Sequence, residues 1–425
     1  MSPGNFSSEA FLSTLTPEQK EIFSKEFAEA IRRKQNEAKI RLTSMELMVT
    51  ERCNLACDYC FVTRRGMGRD MSPEVAETAL HFLFDNAPED AKLAITLFGG
   101  EPFLVMPFIR EIVTKAKTMA KPTQQLDFVV TSNGTLITDE IAAFFAQNGT
   151  NILLSIDGTK EHHDLHRRYC DGSPSFDRVM QGLEVLKRHQ PWRGVRMTVS
   201  PETLKHLASD VEWLNQQGLY QFLIGLAECP EVIWSEEDVA ELETQIRLLA
   251  QYYRKTREEG IIPLRVAEFE ESLEDRKKSR GHIWGCEAVR TKLCIAPDGK
   301  IVPCARFVSL NNGEGAYILG DVFDGITRYD LVDDMQDNRG LPRNACTGCE
   351  YAEVCTGTCP AVNLEMSNNI YCTQYSTCNH HKILNRLREE QPDLFQIHVQ
   401  YPIQHARTFA GEQCEPELTS HIKAL

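Results

Sequence analysis

The chain has 425 residues, enough for one large domain and a smaller one, each with its own core. Its 61 acidic side chains outnumber 46 Lys and Arg, and the formal charge of −15 argues against nucleic acid or an anionic membrane as the main partner. No stretch approaches the roughly 20 apolar residues of a membrane span, and Met1-Ser2-Pro3-Gly4 does not begin a signal peptide. The fifteen cysteines therefore read as metal ligands in a reducing cytoplasm rather than as a disulfide framework.

Residues 1–15 are polar. Thr16-Pro17-Glu18-Gln19 offers an N-cap, a proline at the first helical position and a capping-box partner, which predicts a charged helix to about Lys39 with Ile22, Phe23, Phe27 and Ile31 along one side. This segment, 1–44, reads as a lid on the domain that follows. From 45 to about 260, apolar runs alternate with helical patterns. The strand candidates are 45–50, 93–98, 126–131, 152–156, 195–199 and 221–226, with helices such as Ser72–Asn86 and Phe176–Arg188 between them. Six β/α units in succession predict an α/β fold with a parallel sheet and right-handed crossovers. Pattern alone does not separate an open sheet from a barrel, but in either the ligands gather at the C-terminal ends of the strands.

The motifs fall at those ends. After the first strand, Cys53, Cys57 and Cys60 stand in CxxxCxxC spacing within eight residues, with Tyr59 just before the last. Three thiols so close together suit a metal centre, and a cubane iron–sulfur cluster with three protein ligands keeps one iron open. A zinc knuckle would pair them with a second close CxxC, which does not follow within the next 100 residues, and a redox pair needs two cysteines only. Phe98-Gly99-Gly100-Glu101-Pro102 follows the second strand; its glycines let backbone approach a ligand, and its carboxylate can accept from an ammonium. Thr131-Ser132-Asn133-Gly134 and Ser155-Ile156-Asp157-Gly158 follow the third and fourth, and each is by itself an ordinary polar turn. His162, His163 and His166 read as surface residues on an irregular connection, and Cys170, Cys229 and Cys414 as small buried hydrophobes.

A charged helix over Ser235–Arg257 and the basic run Arg276–Arg280 lead into a cysteine-rich part, with a boundary near 265–280. There Cys286 precedes Gly299 by twelve intervening residues and Cys304 follows after four more; then come Cys346, Cys349, Cys355, Cys359 and Cys378. Leu293–Cys304 reads as a hairpin around Asp298-Gly299. A four-thiolate zinc site on Cys346, Cys349, Cys355 and Cys359 is the structural alternative.

The CxxxCxxC loop followed by Gly-Gly-Glu-Pro resembles the radical S-adenosylmethionine (radical SAM) enzymes, and the later spacing resembles their seven-cysteine SPASM domain, found in peptide (RiPP) maturases and, more distantly, anaerobic sulfatase-maturating enzymes. The resemblance implies a partial (β/α)6 barrel over 45–265, a SPASM domain over 266–380, and a C-terminal helix and tail over 381–425. It implies S-adenosyl-L-methionine as cofactor, lined by Tyr59, Gly99, Gly100, Glu101, Pro102, Ser132, Asn133, Ser155, Asp157 and an arginine of Arg167-Arg168, of which Arg168 is taken. It implies three 4Fe–4S clusters: one on Cys53, Cys57 and Cys60; one on Cys346, Cys349, Cys355 and Cys378; one on Cys286, Cys304 and Cys359. Cys294, in the hairpin strand, is the candidate fourth ligand of the last, and a one-residue parity decides whether its thiol faces that group. If it does not, a substrate thiolate can take the iron.

Resembling sulfatase maturases carry an aspartate base directly after the equivalent of Cys304, where this chain has Ala305. That counts against formylglycine formation, which needs a proton acceptor. The implied chemistry is reductive SAM cleavage, hydrogen abstraction by the 5′-deoxyadenosyl radical from a ribosomally made peptide, and formation of a crosslink, thioether favoured. Implied partners are the precursor peptide, a reductant such as flavodoxin or ferredoxin, and a separate leader-binding protein, since 44 residues are few for a leader-recognition domain. Sulfatase-type maturation, radical chemistry on a small molecule, and a non-catalytic iron–sulfur carrier or zinc scaffold are the competing readings.

Overall fold

A computed structural model describes residues 16, 40–62, 68–260, 264–278, 286–311, 315, 317–336, 346–355 and 357–395. The helix expected between Thr16 and Lys39, the tail after 395 and Cys414 lie outside the described residues. The chain divides into the units Met1–Arg41 and Leu42–Leu425. Within the second, β1 (Ser44–Thr50), α1 (Pro73–Asn86), β2 (Lys92–Gly99), α2 (Met106–Met119), β3 (Gln125–Ser132), α3 (Asp139–Gln147), β4 (Ile152–Ser155), α4 (Lys160–His166), α5 (Phe176–His189), β5 (Gly194–Val199), α6 (Leu207–Gln216), β6 (Gln221–Leu226), α7 (Glu236–Glu259) and β7 (Arg265–Val266) follow in order. The six expected strands are β1 to β6, each within one residue at either end. The helices begin where the sequence supplies caps: Ser72 accepts from the Val75 amide at 3.2 Å, and Ser235 and Asp238 close a capping box.

Each of β1 to β6 pairs in parallel with the next, and β7 extends the series from β6. The sheet order places β7 at one end and β11 at the other, so the parallel series does not close on itself. It is a partial (β/α)6 barrel. Alternate residues of each strand face the helices and are sealed: Leu93, Ile95 and Leu97 of β2 are at most 1% exposed. The intervening residues Ala94, Thr96 and Phe98 are only half-buried, and the same alternation runs through β5 and β6. A closed barrel fills its interior with side chains, whereas here the inner face is left accessible.

The cysteine-rich part joins the same sheet. After α8 (Leu273–Lys278), β8 (Lys292–Ile295) runs parallel to β1 on its free edge, with Glu46 opposite Cys294, and turns back antiparallel into β9 (Lys300–Val302). The Asp298-Gly299 hairpin is therefore present, and the sheet runs without a break across the boundary expected near 265–280. α9 (Ala305–Asn311), β10 (Gly320–Asp321), β11 (Gly325–Ile326), α10 (Tyr329–Gln336), α11 (Pro360–Ser367) and α12 (Tyr375–Glu390) complete it.

Candidate active site

The cysteine loop leaves β1 and is clamped by the turns after β2, β3 and α4. The Gly100 amide donates to the Thr50 carbonyl and the Glu101 amide to the Arg52 carbonyl, both at 2.9 Å. A Cβ on Gly99 would stand 2.1 Å from the Thr50 carbonyl oxygen, and one on Gly100 2.3 Å from that of Arg52. The glycines are thus required by the close approach of the cysteine loop's own backbone. On the other side, Ala56 donates to the Arg168 carbonyl at 2.8 Å, and Asn54 joins Asn133 (2.9 Å) and Thr135 (2.8 Å).

Glu101 is fully buried and committed. It accepts from the Phe103 amide, the Ser132 hydroxyl and the Asn133 amide at 3.1, 3.0 and 2.8 Å. Burial pushes its carboxyl up to about 7, against the pull of those donors. These bonds tie the second turn to the third. Asp157 is equally occupied. It receives Arg167 Nε at 2.7 Å and Nη2 at 3.0 Å, the Thr198 amide at 2.9 Å, and the Tyr59 hydroxyl. Burial acts to raise its carboxyl, but the Arg167 charge and hydrogen bonds outweigh this and hold it below the usual range. Tyr59 lies under the Arg167 guanidinium, 5.5 Å from ring centre. Of the two adjacent arginines it is Arg167 that is buried here; Arg168 is exposed and donates to the Gly172 carbonyl. Ser155 is buried at the end of β4, paired in register with Arg196.

The histidines differ from expectation because 160–166 is a helix rather than an irregular connection. His163 is buried against Ser175, and burial lowers it to about 4; His162 pairs with Asp210 at 2.7 Å and His166 with Asp58 at 2.9 Å. Cys229 is buried as expected, but Cys170 is exposed, with its thiol 3.8 Å from the Cys53 carbonyl.

The three loop thiols form one electrostatic group. Burial pushes Cys53 and Cys57 up to about 12, and each is raised further by the other thiols of the loop. Such thiols stay protonated at neutral pH unless a metal takes them. The Leu55 amide (3.4 Å) and the Asn133 side-chain amide (3.7 Å) point at Cys53 Sγ, the arrangement of donors that suits a cluster ligand. The donor set fits an iron–sulfur group. Farther along, the thiols fall into two further sets. Cys378 feels Cys346, Cys349 and Cys355, while Cys286 and Cys304 each feel Cys359. Cys294 is fully buried, in register with Glu46 of β1, and Glu46, Cys304 and Lys292 are the charges that act on its thiol. Cys372 is exposed and belongs to neither set.

Three residues invisible to motif reading join these parts. Glu46, on the inner face of β1, accepts from Lys292 at 3.0 Å and from the Ala305 amide at 2.7 Å. Arg306 binds Glu365 at 2.9 and 2.7 Å and lies 5.2 Å over the Phe61 ring, beside the last loop cysteine. Arg196 is a charge in an otherwise apolar strand, Gly194-Val195-Arg196-Met197-Thr198-Val199; that was the one available signal that this face is not packed core.

The chain matches the radical SAM superfamily over residues 47–214. It is 24% identical over 350 residues to a cysteine-type anaerobic sulfatase-maturating enzyme from Clostridium novyi (strain NT), spanning 76% of this chain and 91% of that one. Its fold resembles that of native anSMEcpe with bound AdoMet and peptide, with TM-score 0.70 at 18% identity over 83% of this chain and 98% of the other. It also resembles Streptococcus suis SuiB bound to precursor peptide SuiA, with TM-score 0.58 at 18% identity over 89% and 84%. Residues 47–214 are a radical SAM domain, and a cysteine-rich region follows it. Among the described residues no helix is long and apolar enough to cross a membrane.

Proposed function

We propose that the chain is a radical SAM maturase of peptides that installs a crosslink, thioether favoured, in a ribosomally made substrate. The observation that supports this is the pairing of β8 with β1, which sets Cys294 in register with Glu46 on the strand whose end bears the cysteine loop. An extended peptide entering the accessible inner face would lie between the two thiol groups. Cys53, Cys57 and Cys60 would hold the SAM-binding cluster, Cys286, Cys304, Cys359 and Cys294 the first auxiliary cluster, and Cys346, Cys349, Cys355 and Cys378 the second. Cys294 would fill the fourth site of the first auxiliary cluster, leaving the auxiliary clusters to accept an electron; if it does not, a substrate thiolate would take that iron. Bound together and reduced, the first cluster and SAM supply the abstraction of a hydrogen atom. The protein's own residues hold the loop rigid through Gly99, Gly100 and Asn133, and fix Tyr59 and Asp157 through Arg167. Electrons would come from an external reductant such as flavodoxin or ferredoxin.

One observation favours sulfatase-type maturation as a second reading. The Ala305 amide is held by Glu46, so a carboxylate does stand beside position 305, supplied by β1 rather than by residue 305 itself. Anaerobic reconstitution tests the common ground: three clusters mean about 12 iron per chain, and dithionite should release 5′-deoxyadenosine from SAM. Tightly held zinc, or SAM cleavage by the Cys53→Ala, Cys57→Ala, Cys60→Ala variant, would sink it. Mass spectrometry of a Cys/Ser-x-Pro-x-Arg peptide then separates the two readings, because formylglycine in that peptide would replace crosslinking.

A further inference from the structure

Three guanidinium groups meet at the mouth of the partial barrel: Arg167 after α4, Arg196 on β5 and Arg306 at the start of α9. Two of them are neutralised. Arg167 is bidentate on Asp157, and Arg306 is held by Glu365, whose side chain is fully buried. Arg196 has no such partner. Among the described residues it makes no ion pair, and its one hydrogen bond is a 3.4 Å contact from Nη1 to the Leu223 carbonyl on the neighbouring strand. The charged groups around it are Glu268, Asp157, Arg167 and Arg306. Asp157 is taken by Arg167, Tyr59 and Thr198; Glu268 accepts from the Ile224 amide through one oxygen at 3.1 Å and acts on Arg196 only from beyond ion-pair distance. The two arginines oppose it with like charge.

A guanidinium in that position is costly to keep. Arg196 is exposed on the inner face yet crowded by protein charges, with Glu268 and Asp157 favouring it from a distance and no carboxylate at ion-pair distance among the described residues. The fold nevertheless makes room for it. Gly225 on β6 carries no side chain where a Cβ would lie 2.8 Å from Arg196 Nη2 and 3.2 Å from Cζ. An unpaired, forked cation facing an accessible opening, in a chain of net charge −15, suits a carboxylate brought from outside.

We propose that Arg196 receives a carboxylate of the bound peptide, an aspartate or glutamate side chain or a chain terminus, and so makes the enzyme selective for an acidic group at a fixed place in its substrate. The proposal rests on the peptide reading above. SAM also carries a carboxylate, but Arg196 faces Glu268 beyond β7 and Arg306 from the cysteine-rich part, the side on which a substrate lies between the two thiol regions.

The test uses the reconstituted full-length enzyme with SAM and a displayed library of random-sequence peptides, panned anaerobically. Wild type should enrich Asp or Glu at one position of the retained peptides. Arg196→Gln should lose that enrichment by roughly tenfold or more, the effect of removing one charge-assisted bidentate contact. Arg196→Glu should shift it to Lys or Arg. Gly225→Ala keeps the charge but displaces the flexible end of Arg196, and should weaken the preference while leaving iron content at the wild-type value. Equilibrium dialysis of SAM distinguishes the two sources of carboxylate. A tenfold loss of SAM affinity in Arg196→Gln with an unchanged peptide profile assigns the contact to SAM and overturns the proposal. Peptides retained by wild type without an acidic preference overturn it while leaving peptide maturation standing. No peptide retained by wild type overturns both.

Discussion

The cysteine loop after β1 holds its three thiols within eight residues, and its backbone is bonded to the turns after β2 and α4 before any metal is considered. The C-terminal thiols from Cys286 to Cys378 are carried by a short hairpin, a few turns and two helices, in a stretch with little sheet of its own. The first loop is a rigid rim, while the second set of cysteines is mostly half-buried or exposed around a small apolar core that includes Leu293, Ile301, Phe307 and Ile383. Small regions of that kind draw their folding energy from the metal.

Removing iron is the strongest way to break this comparison. Hydrogen exchange of the apoprotein should show protection lost across 286–390 and kept in β1 to β6; equal loss in both would erase the distinction. Next in size is Arg306→Met, which strands the fully buried Glu365 carboxylate. It should cost about 3 kcal/mol of stability in urea unfolding, and a change below about 1 kcal/mol would show that this pair does not hold the cysteine-rich region together. Gly100→Ala forces a Cβ into the Arg52 carbonyl and should cost about 1–3 kcal/mol. Its iron content should fall by the share of one cluster, about 4 of about 12 iron, with SAM cleavage lost and the auxiliary clusters retained. The smallest effect is on Glu101. Its folded carboxyl, near 7, stands above its ordinary value of 4.5, so it binds its proton more tightly folded than unfolded. The stability it adds is fully present below about 4.5 and lost as pH rises through about 7. Against Glu101→Gln, the wild-type melting temperature should therefore decline by a few degrees over that window. Parallel curves would show that Glu101 does not titrate there.

The sequence carried the fold well because β1 to β6 are apolar runs of near-regular spacing and their helices begin at Ser72, Thr138 and Ser235, residues that cap by their own side chains. The cysteine positions were legible for the same reason, being chemistry written in spacing. What did not show was direction. Gly99 and Gly100 look identical whether they admit a ligand or a neighbouring backbone. Arg167 and Arg168 differ only in which side of a turn they leave, and the side is set by the two bonds from Arg167 to Asp157. Glu46 and Ala305 are 259 residues apart, and only the pairing of β8 with β1 brings them together.

That pairing has a mechanical meaning. β1 bears one thiol group at its end and runs beside the strand that bears Cys294, so peptide hydrogen bonds, rather than a hinge, separate the loop from that part of the second region. A hinged arrangement would let the gap open and close as substrate came and went. Here an electron passing between the two would cross the same distance in every turnover, and any gating would have to come from the peptide itself.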